Sequence, residues 1–204
     1  MVVFRLALGL AFLLSACPAL AGENAPASRV ARAVGPAPAR PVYHVPLRVH
    51  LGGSGRGTAE FLPLLEEINK IWLDQAGICF DMSVVMHDEP AGIGMDVWFL
   101  PSLSGGEWLN GYYRSDHDIK VRDTPLLAPA VLPARYPGAR TAAHELGHGL
   151  GLTHRQDSDD NLMRSKTFGW QLNPEEITRA RVAAKAKALQ DRSEAKCEIS
   201  NGSP

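Results

Sequence analysis

The sequence lacks the marks of several common classes of protein. It has no excess of one charge, with 21 Lys and Arg residues against 22 Asp and Glu residues, whereas nucleic-acid-binding domains usually show a basic excess. Its three cysteines are too few for a scaffold built from disulfides. Its N-terminal apolar run is shorter than the roughly 20 residues of a membrane-spanning helix. The 204 residues therefore predict one compact monomeric domain, with no nucleic-acid partner and no transmembrane helix.

The N-terminus has the pattern of a secretory signal peptide. Arg5 precedes the apolar residues 6–14, and small residues follow them. The Ala-Leu-Ala sequence that ends the segment 1–21 favours cleavage there, which is the interpretation we prefer. The alternative is a lipobox ending at Cys17, which would anchor the protein as a lipoprotein. Either way we expect an exported protein, secreted or periplasmic.

Two cysteines remain in the folded part, Cys79 and Cys197. Export places them in an oxidising compartment, so they form a candidate disulfide, with two unpaired thiols as the alternative. In the chain-entropy model, a bridge that closes so long a loop adds about 4–5 kcal/mol to the free energy of unfolding.

The order of apolar patterns predicts an α/β (α+β) domain with a mixed sheet. Residues 22–42 are rich in Pro and Ala and are interpreted as a linker or short pro-segment. Residues 43–192 form the predicted domain, and residues 193–204 a C-terminal tail. Alternation and helical spacing predict strands at 42–51, 78–86, 96–100, 107–113 and 118–122, and helices at 63–77, 142–150 and 174–189.

Local signals define the ends of the predicted helices. Pro63 is placed in the first turn of the first helix, where proline is accepted, and Gly77 ends that helix. Thr141 is predicted to cap the second helix. Asn173, followed by proline and then by glutamate at the third helical position, is predicted to cap the last helix.

One segment contains the candidate metal-binding and catalytic residues. Residues 144–154 read HELGHGLGLTH, which matches H-E-x-x-H-x-x-G-x-x-H at every fixed position. His144 and His148 share one helical face, where two imidazoles can reach the same zinc ion. Gly151 permits the left-handed turn that brings His154 back as a third ligand. Three histidines leave the fourth position open, which is typical of catalytic rather than structural zinc.

This segment resembles the signature of the metzincin zinc metalloproteases. The resemblance implies that Glu145 acts as general base and then general acid, on a water activated by zinc. It also implies that Met163, nine residues after His154, forms the methionine turn beneath the metal. The resemblance covers residues 42–190, of which only 144–163 are specific. Small matrixin-like bacterial members are the closest, and the subfamily stays open.

The resemblance implies an exported zinc endopeptidase that acts on polypeptides. In that family the substrate lies along an edge strand above the active helix. Residues 108–113, with Gly111 and Tyr112, are the candidate strand, and an ordinary edge strand is the equal alternative. Two other functions stay open, namely a non-catalytic zinc-binding or adhesion module of the same fold and a zinc amidase acting on cell-wall peptide.

The remaining titratable clusters are interpreted as structural. The carboxylates within 157–160 make calcium possible, but a plain polar loop is favoured because no 12-residue calcium-binding pattern is present. Residues 116–118 are interpreted as a solvated turn rather than an ion site. His44, His50 and His87 are expected at the surface or at an edge.

Overall fold

The computed structural model describes residues 40–86, 93–106, 108–123, 136–165, 169–189, 191–192 and 196–201. The predicted signal peptide, the processing site at Cys17, residues 22–39 of the predicted linker and His87 lie outside the described residues.

A mixed sheet with three helices confirms the predicted fold class. The elements are β1 Val42–His50, α1 Thr58–Ala76, β2 Ile78–Val85, β3 Met95–Leu100, β4 Gly111–Ser115, β5 Asp118–Arg122, α2 Pro137–Gly149, α3 Pro174–Lys187, β6 Asp191–Arg192 and β7 Ile199–Asn201. The strand order is β4-β5-β3-β1-β2-β7, and β6 pairs with the start of β1. The strands from β5 to β7 in this order pair in parallel, whereas β4 runs antiparallel to β5 and forms one edge.

The hydrophobic core positions α2, the helix that carries the histidine motif. Val45 and Val49 of β1 are fully buried in one cluster with Leu65 and Trp72 of α1. The Trp72 indole N–H also donates to the backbone carbonyl of Ala143 in α2, at 3.2 Å. The position of α2 is therefore fixed by apolar packing and by a buried hydrogen bond from its neighbouring helix.

The polar face of β1 is buried, and the prediction that His44 and His50 lie at the surface or at an edge is wrong. They are 3% and 1% exposed, because β1 lies inside the sheet and the neighbouring strands supply polar partners. His44 Nδ1 is 2.9 Å from the carboxylate of Asp81, and His50 Nε2 is 2.8 Å from that of Asp96. These pairings are what burial of a polar side chain requires.

Helix α1 begins earlier than predicted and ends where predicted. Its first residue is Thr58, so Pro63 lies inside the helix and not in its first turn. Proline at that position removes the hydrogen bond to the carbonyl of Ala59. Ala59 and Pro63 are both exposed, which places this break on the solvent side. Gly77 ends the helix in the left-handed conformation with φ 61°, as a helix-terminating glycine does.

The prediction for the start of α2 is wrong, and that for α3 is confirmed. Helix α2 begins at Pro137, whose ring suits the first helical position. Thr141 therefore lies within α2, where its hydroxyl donates to the Pro137 carbonyl at 3.1 Å instead of capping the helix. Asn173 does cap α3, since its side-chain oxygen accepts from the N–H of Glu176 at 2.9 Å. Helix α3 ends at Lys187, two residues before the predicted end.

The strands agree with prediction within one residue, apart from the segment 107–113. Strand β4 begins only at Gly111. The N–H of Leu109 bonds to the carbonyl of Gly106 at 3.3 Å, so the chain turns before it enters the sheet. Trp108 precedes the strand, and Glu107 lies outside the described residues.

The predicted C-terminal tail contributes to the sheet. Ile199–Asn201 forms β7 and pairs in parallel with β2. Cys197, just before it, is bonded to Cys79 of β2, with their Cα atoms 5.3 Å apart. The candidate disulfide is therefore present, and it joins residues separated by 118 positions.

The disulfide is expected to contribute strongly to stability. Replacing both Cys79 and Cys197 with alanine should lower the free energy of unfolding by about 4–5 kcal/mol, because the unfolded chain regains the entropy of a long open loop. Guanidinium chloride titration of the chain from Gly22 onward measures this, with reduced wild-type protein as the matched comparison. A double variant as stable as the oxidised wild type would contradict the expectation.

Candidate metal centre

The C-terminal end of α2 arranges the histidines. The helix ends at Gly149, and Gly151 adopts the left-handed conformation with φ 78°. The N–H of Gly151 bonds to the carbonyl of His148, and the N–H of Leu152 to that of Gly147, both at 2.9 Å. This pair of bonds is the Schellman motif. It reverses the chain and returns His154 to the face of α2, as the sequence predicts for Gly151.

Three imidazole nitrogens converge where the sequence predicts a ligand set. The Nε2 atom of His154 is 3.1 Å from that of His144 and 3.2 Å from that of His148, and all three ligand atoms lie within 4.8 Å of one another. Nitrogen ligands at 2.0–2.1 Å from a tetrahedral ion are about 3.3–3.4 Å apart. The group can therefore bind a metal ion.

Backbone carbonyls fix which nitrogen of each helical histidine is available. His144 Nδ1 is 2.7 Å from the Leu162 carbonyl, and His148 Nδ1 is 2.9 Å from the Leu152 carbonyl. A carbonyl only accepts, so both Nδ1 atoms carry the proton and both Nε2 atoms present a lone pair. Burial lowers the pKa of His144 to about 3 and also lowers the pKa of His154. The lowered pKa values keep His144 and His154 in the neutral form that coordinates metals.

Glu145 is buried beside the first residue of the edge strand. It is 6% exposed, and burial raises its pKa to about 8, while the nearby charge of Arg140 acts to lower the pKa. A Cβ atom on Gly111 would lie 2.9 Å from Glu145 Oε1 and 2.8 Å from the Thr141 side chain. Only a residue without a side chain lets β4 approach this carboxyl so closely.

Strand β4 lies at the end of the strand order, next to the histidines. The Tyr113 ring lies 6.2 Å from the His148 ring, centroid to centroid. The Tyr112 ring is instead covered by Arg114 and Lys120, at 5.2 and 5.7 Å. Of the two residues singled out from sequence, Gly111 therefore contacts the site, while the Tyr112 side chain is engaged with these two cations.

Met163 lies against α2 between the two helical ligands. It is fully buried, and a Cβ atom on Gly147 would be 2.6 Å from its sulfur. A Cβ atom on Gly149 would likewise be 2.1 Å from the Met95 methyl group. Glycine weakens a helix, and packing against Met163 and Met95 explains why α2 has glycine at 147 and 149.

The loop that carries Met163 is held by polar residues that the sequence analysis does not identify. Gln75 of α1 donates to the Trp170 carbonyl at 2.9 Å and accepts from the Leu172 N–H at 2.7 Å. Asn161 donates to Glu176 of α3 at 2.8 Å. Their partners are distant in sequence, so no local pattern could reveal them.

The weaker predicted ion sites are explained by ion pairs. Asp157 accepts from Arg155 at 3.1 and 2.9 Å, and Asp159 pairs with Arg164, so the structure gives calcium no support. Asp116 and His117 form the turn between β4 and β5, as favoured, whereas Asp118 is the first residue of β5. One further group of potential ligands, His44, Cys79 and Asp81, contains a cysteine whose sulfur is committed to the disulfide.

No protein-family model matches the sequence, and no curated protein sequence is significantly similar to it. Within the described ranges, no helix combines the length and the apolar character needed to cross a bilayer. Function is therefore inferred from the chemistry of the site.

We expect the chain to bind one transition-metal ion through the three histidines. The His154→Ala variant should bind zinc at least about 100-fold more weakly, since losing even a hydrogen-bond partner of a ligand costs 10–100-fold. The His117→Ala variant is the control, because His117 is exposed and pairs with Asp96 rather than with the site. Competition with a chromophoric chelator measures both affinities. Equal zinc affinity in the two variants would contradict the site.

Proposed function

We propose that this chain is a metzincin-like zinc endopeptidase that acts outside the cytoplasm. The observation that carries the proposal is the convergence of three imidazoles at the end of α2, with a buried glutamate next to the first of them. Nitrogen donors favour zinc over calcium or magnesium, which prefer oxygen. Three protein ligands with a fourth position open are the pattern of a catalytic zinc site.

Glu145 has the properties of the group that handles protons. A bound zinc ion supplies a Lewis acid and lowers the pKa of water towards 7. Burial raises the Glu145 pKa to about 8 against the lowering effect of the Arg140 charge, and a metal cation nearby would favour the ionised carboxylate. Glu145 therefore accepts a proton as general base and then delivers it to the leaving amine as general acid.

The edge strand favours a polypeptide as substrate. In the described part of the chain, β4 pairs with β5 along one side only. An extended peptide can add to such an edge through main-chain hydrogen bonds. Since Gly111 of β4 touches Glu145, a peptide laid along β4 passes close to the proton-transfer group.

Two further observations bear on the alternatives and on the compartment. The buried Glu145 carboxyl beside the three histidines favours an enzyme over a binding module, because perturbed titratable groups cluster at functional sites. The Cys79–Cys197 disulfide supports an oxidising compartment and agrees with the predicted signal peptide.

Replacing Glu145 should separate metal binding from catalysis. The Glu145→Gln variant keeps the shape of the side chain but cannot take up a proton, so peptide hydrolysis should fall by about 10²–10⁴-fold while zinc affinity stays close to that of wild type. Cleavage of casein and of a random peptide library, with and without chelator, measures the loss. Glu66→Gln, on the exposed side of α1, is the matched control. A Glu145→Gln variant that cleaves at the wild-type rate would overturn the mechanism.

Adding one methyl group to the edge strand should disturb the same carboxyl. The Gly111→Ala variant places a Cβ atom 2.9 Å from Glu145 Oε1, so kcat should fall roughly 10–100-fold, because small misplacements of a catalytic group carry such costs. Gly57→Ala is the control, since a Cβ atom at that position meets nothing within 4 Å. Steady-state kinetics on one peptide identified in the library decide the outcome. Unchanged kcat in Gly111→Ala would mean that β4 does not set the position of Glu145.

A further inference from the structure

One backbone oxygen near the metal centre receives two hydrogen bonds. The Leu162 carbonyl accepts from His144 Nδ1 at 2.7 Å and from Arg140 Nη2 at 2.8 Å. The first bond sets the tautomer and the ring direction of a metal ligand. The second comes from a side chain that the proposed mechanism does not use.

Arg140 also donates to other backbone carbonyls of the loop that carries Leu162. Its Nε donates to the carbonyl of Gly169 at 2.8 Å, and its Nη2 also reaches that of Arg164 at 3.3 Å. The guanidinium thus links residues 162–164 to Gly169. Arg140 lies four residues before His144 on α2, so the two side chains project from the same helical face. Helix α2 therefore carries both His144 and the arginine that binds the carbonyl to which His144 donates.

Burial of the positively charged Arg140 side chain is energetically unfavourable, because the charge loses its hydration. Burial lowers the pKa of Arg140 to about 10, which still leaves the side chain charged at neutral pH. Its charge also disfavours a second cation nearby, although the Glu145 carboxyl partly offsets that effect. A planar guanidinium can donate to several carbonyls at fixed angles, which the single ammonium group of lysine cannot do.

We propose that Arg140 is a positioning residue of the metal centre, which holds the Leu162 carbonyl in place so that His144 keeps Nε2 directed at the metal. The inference rests on the metal site of the proposed function and does not depend on hydrolysis. Orientation and charge predict opposite outcomes when Arg140 is removed. Loss of orientation weakens zinc binding, whereas loss of a repelling charge strengthens it.

The test compares three variants by zinc affinity, measured with a competing chelator in the absence of any peptide. Arg140→Met, which removes the guanidinium and its charge, should bind zinc about 10–100-fold more weakly, the range found when a hydrogen-bond partner of a ligand is lost. Arg140→Lys keeps the charge and loses the guanidinium, and zinc affinity should fall at least about 10-fold. If Arg140→Met is too unstable to purify, the milder lysine variant decides the question alone.

Arg181→Met is the matched control. Arg181 also donates to backbone carbonyls, those of Ala76 and Pro41, and packs over the Tyr43 ring at 4.7 Å, but it touches none of the three histidines or their carbonyl partners. Both Arg140→Met and Arg181→Met should lower Tm, yet only the Arg140 variants should weaken zinc binding. They alone should also change the visible spectrum of the cobalt-substituted protein.

The possible outcomes separate this inference from the proposed function. Wild-type zinc affinity in both Arg140 variants, or tighter binding in Arg140→Met, would overturn the positioning role. Equal weakening in Arg181→Met would also overturn it, because the effect would then be general destabilisation. Weak zinc binding in the Arg140 variants, in a wild-type protein that cleaves no peptide, would support the positioning role and contradict only the endopeptidase.

Discussion

Three imidazole nitrogens that lie within 4.8 Å of one another form the arrangement on which the rest of the site depends. His144 and His148 each carry the proton on Nδ1, so their Nε2 lone pairs both face His154 Nε2. The two lone pairs gain nothing from each other, whereas a metal cation would be attracted to both. The protein must therefore build this geometry with interactions made elsewhere, through the turn at Gly151 and the carbonyls of Leu152 and Leu162.

The hydrogen bonds of Glu176 connect the start of α3 to the loop that packs beneath the histidines. Glu176 Oε2 accepts from the backbone N–H of Asn173 and from the side chain of Asn161, both at 2.8 Å. Asn161 in turn accepts from the N–H of Met163 at 2.7 Å, and Met163 packs against Gly147 of α2. The cap of α3 is thus continuous with the packing beneath the metal ligands. The hydrogen bonds to Glu176 therefore couple the position of α3 to that of the loop.

The sequence predicts what is local and misses what depends on distant partners. The pairing of His144 with His148, the turn at Gly151 and the cap at Asn173 each follow from spacings of about one helical turn, which helical geometry converts directly into position. Alternation in β1 assigns His44 and His50 to one face but contains no information on what covers that face. Arg140 shows the same limit, because its place on the helix is predictable while the carbonyls it binds lie more than 20 residues away.

The edge strand must be as rigid as α2 if Gly111 is to keep its contact with Glu145. The hairpin that ends β4 is fastened at its turn, where Asp116 accepts from the Tyr113 hydroxyl at 3.2 Å and also pairs with Lys187 of α3. His117 binds Asp96 of β3 at 2.8 Å. The edge strand is therefore tied to the sheet and to α3 at its far end, while its near end rests on α2. A strand fixed at both ends keeps one register, which is what the proposed addition of a peptide strand requires.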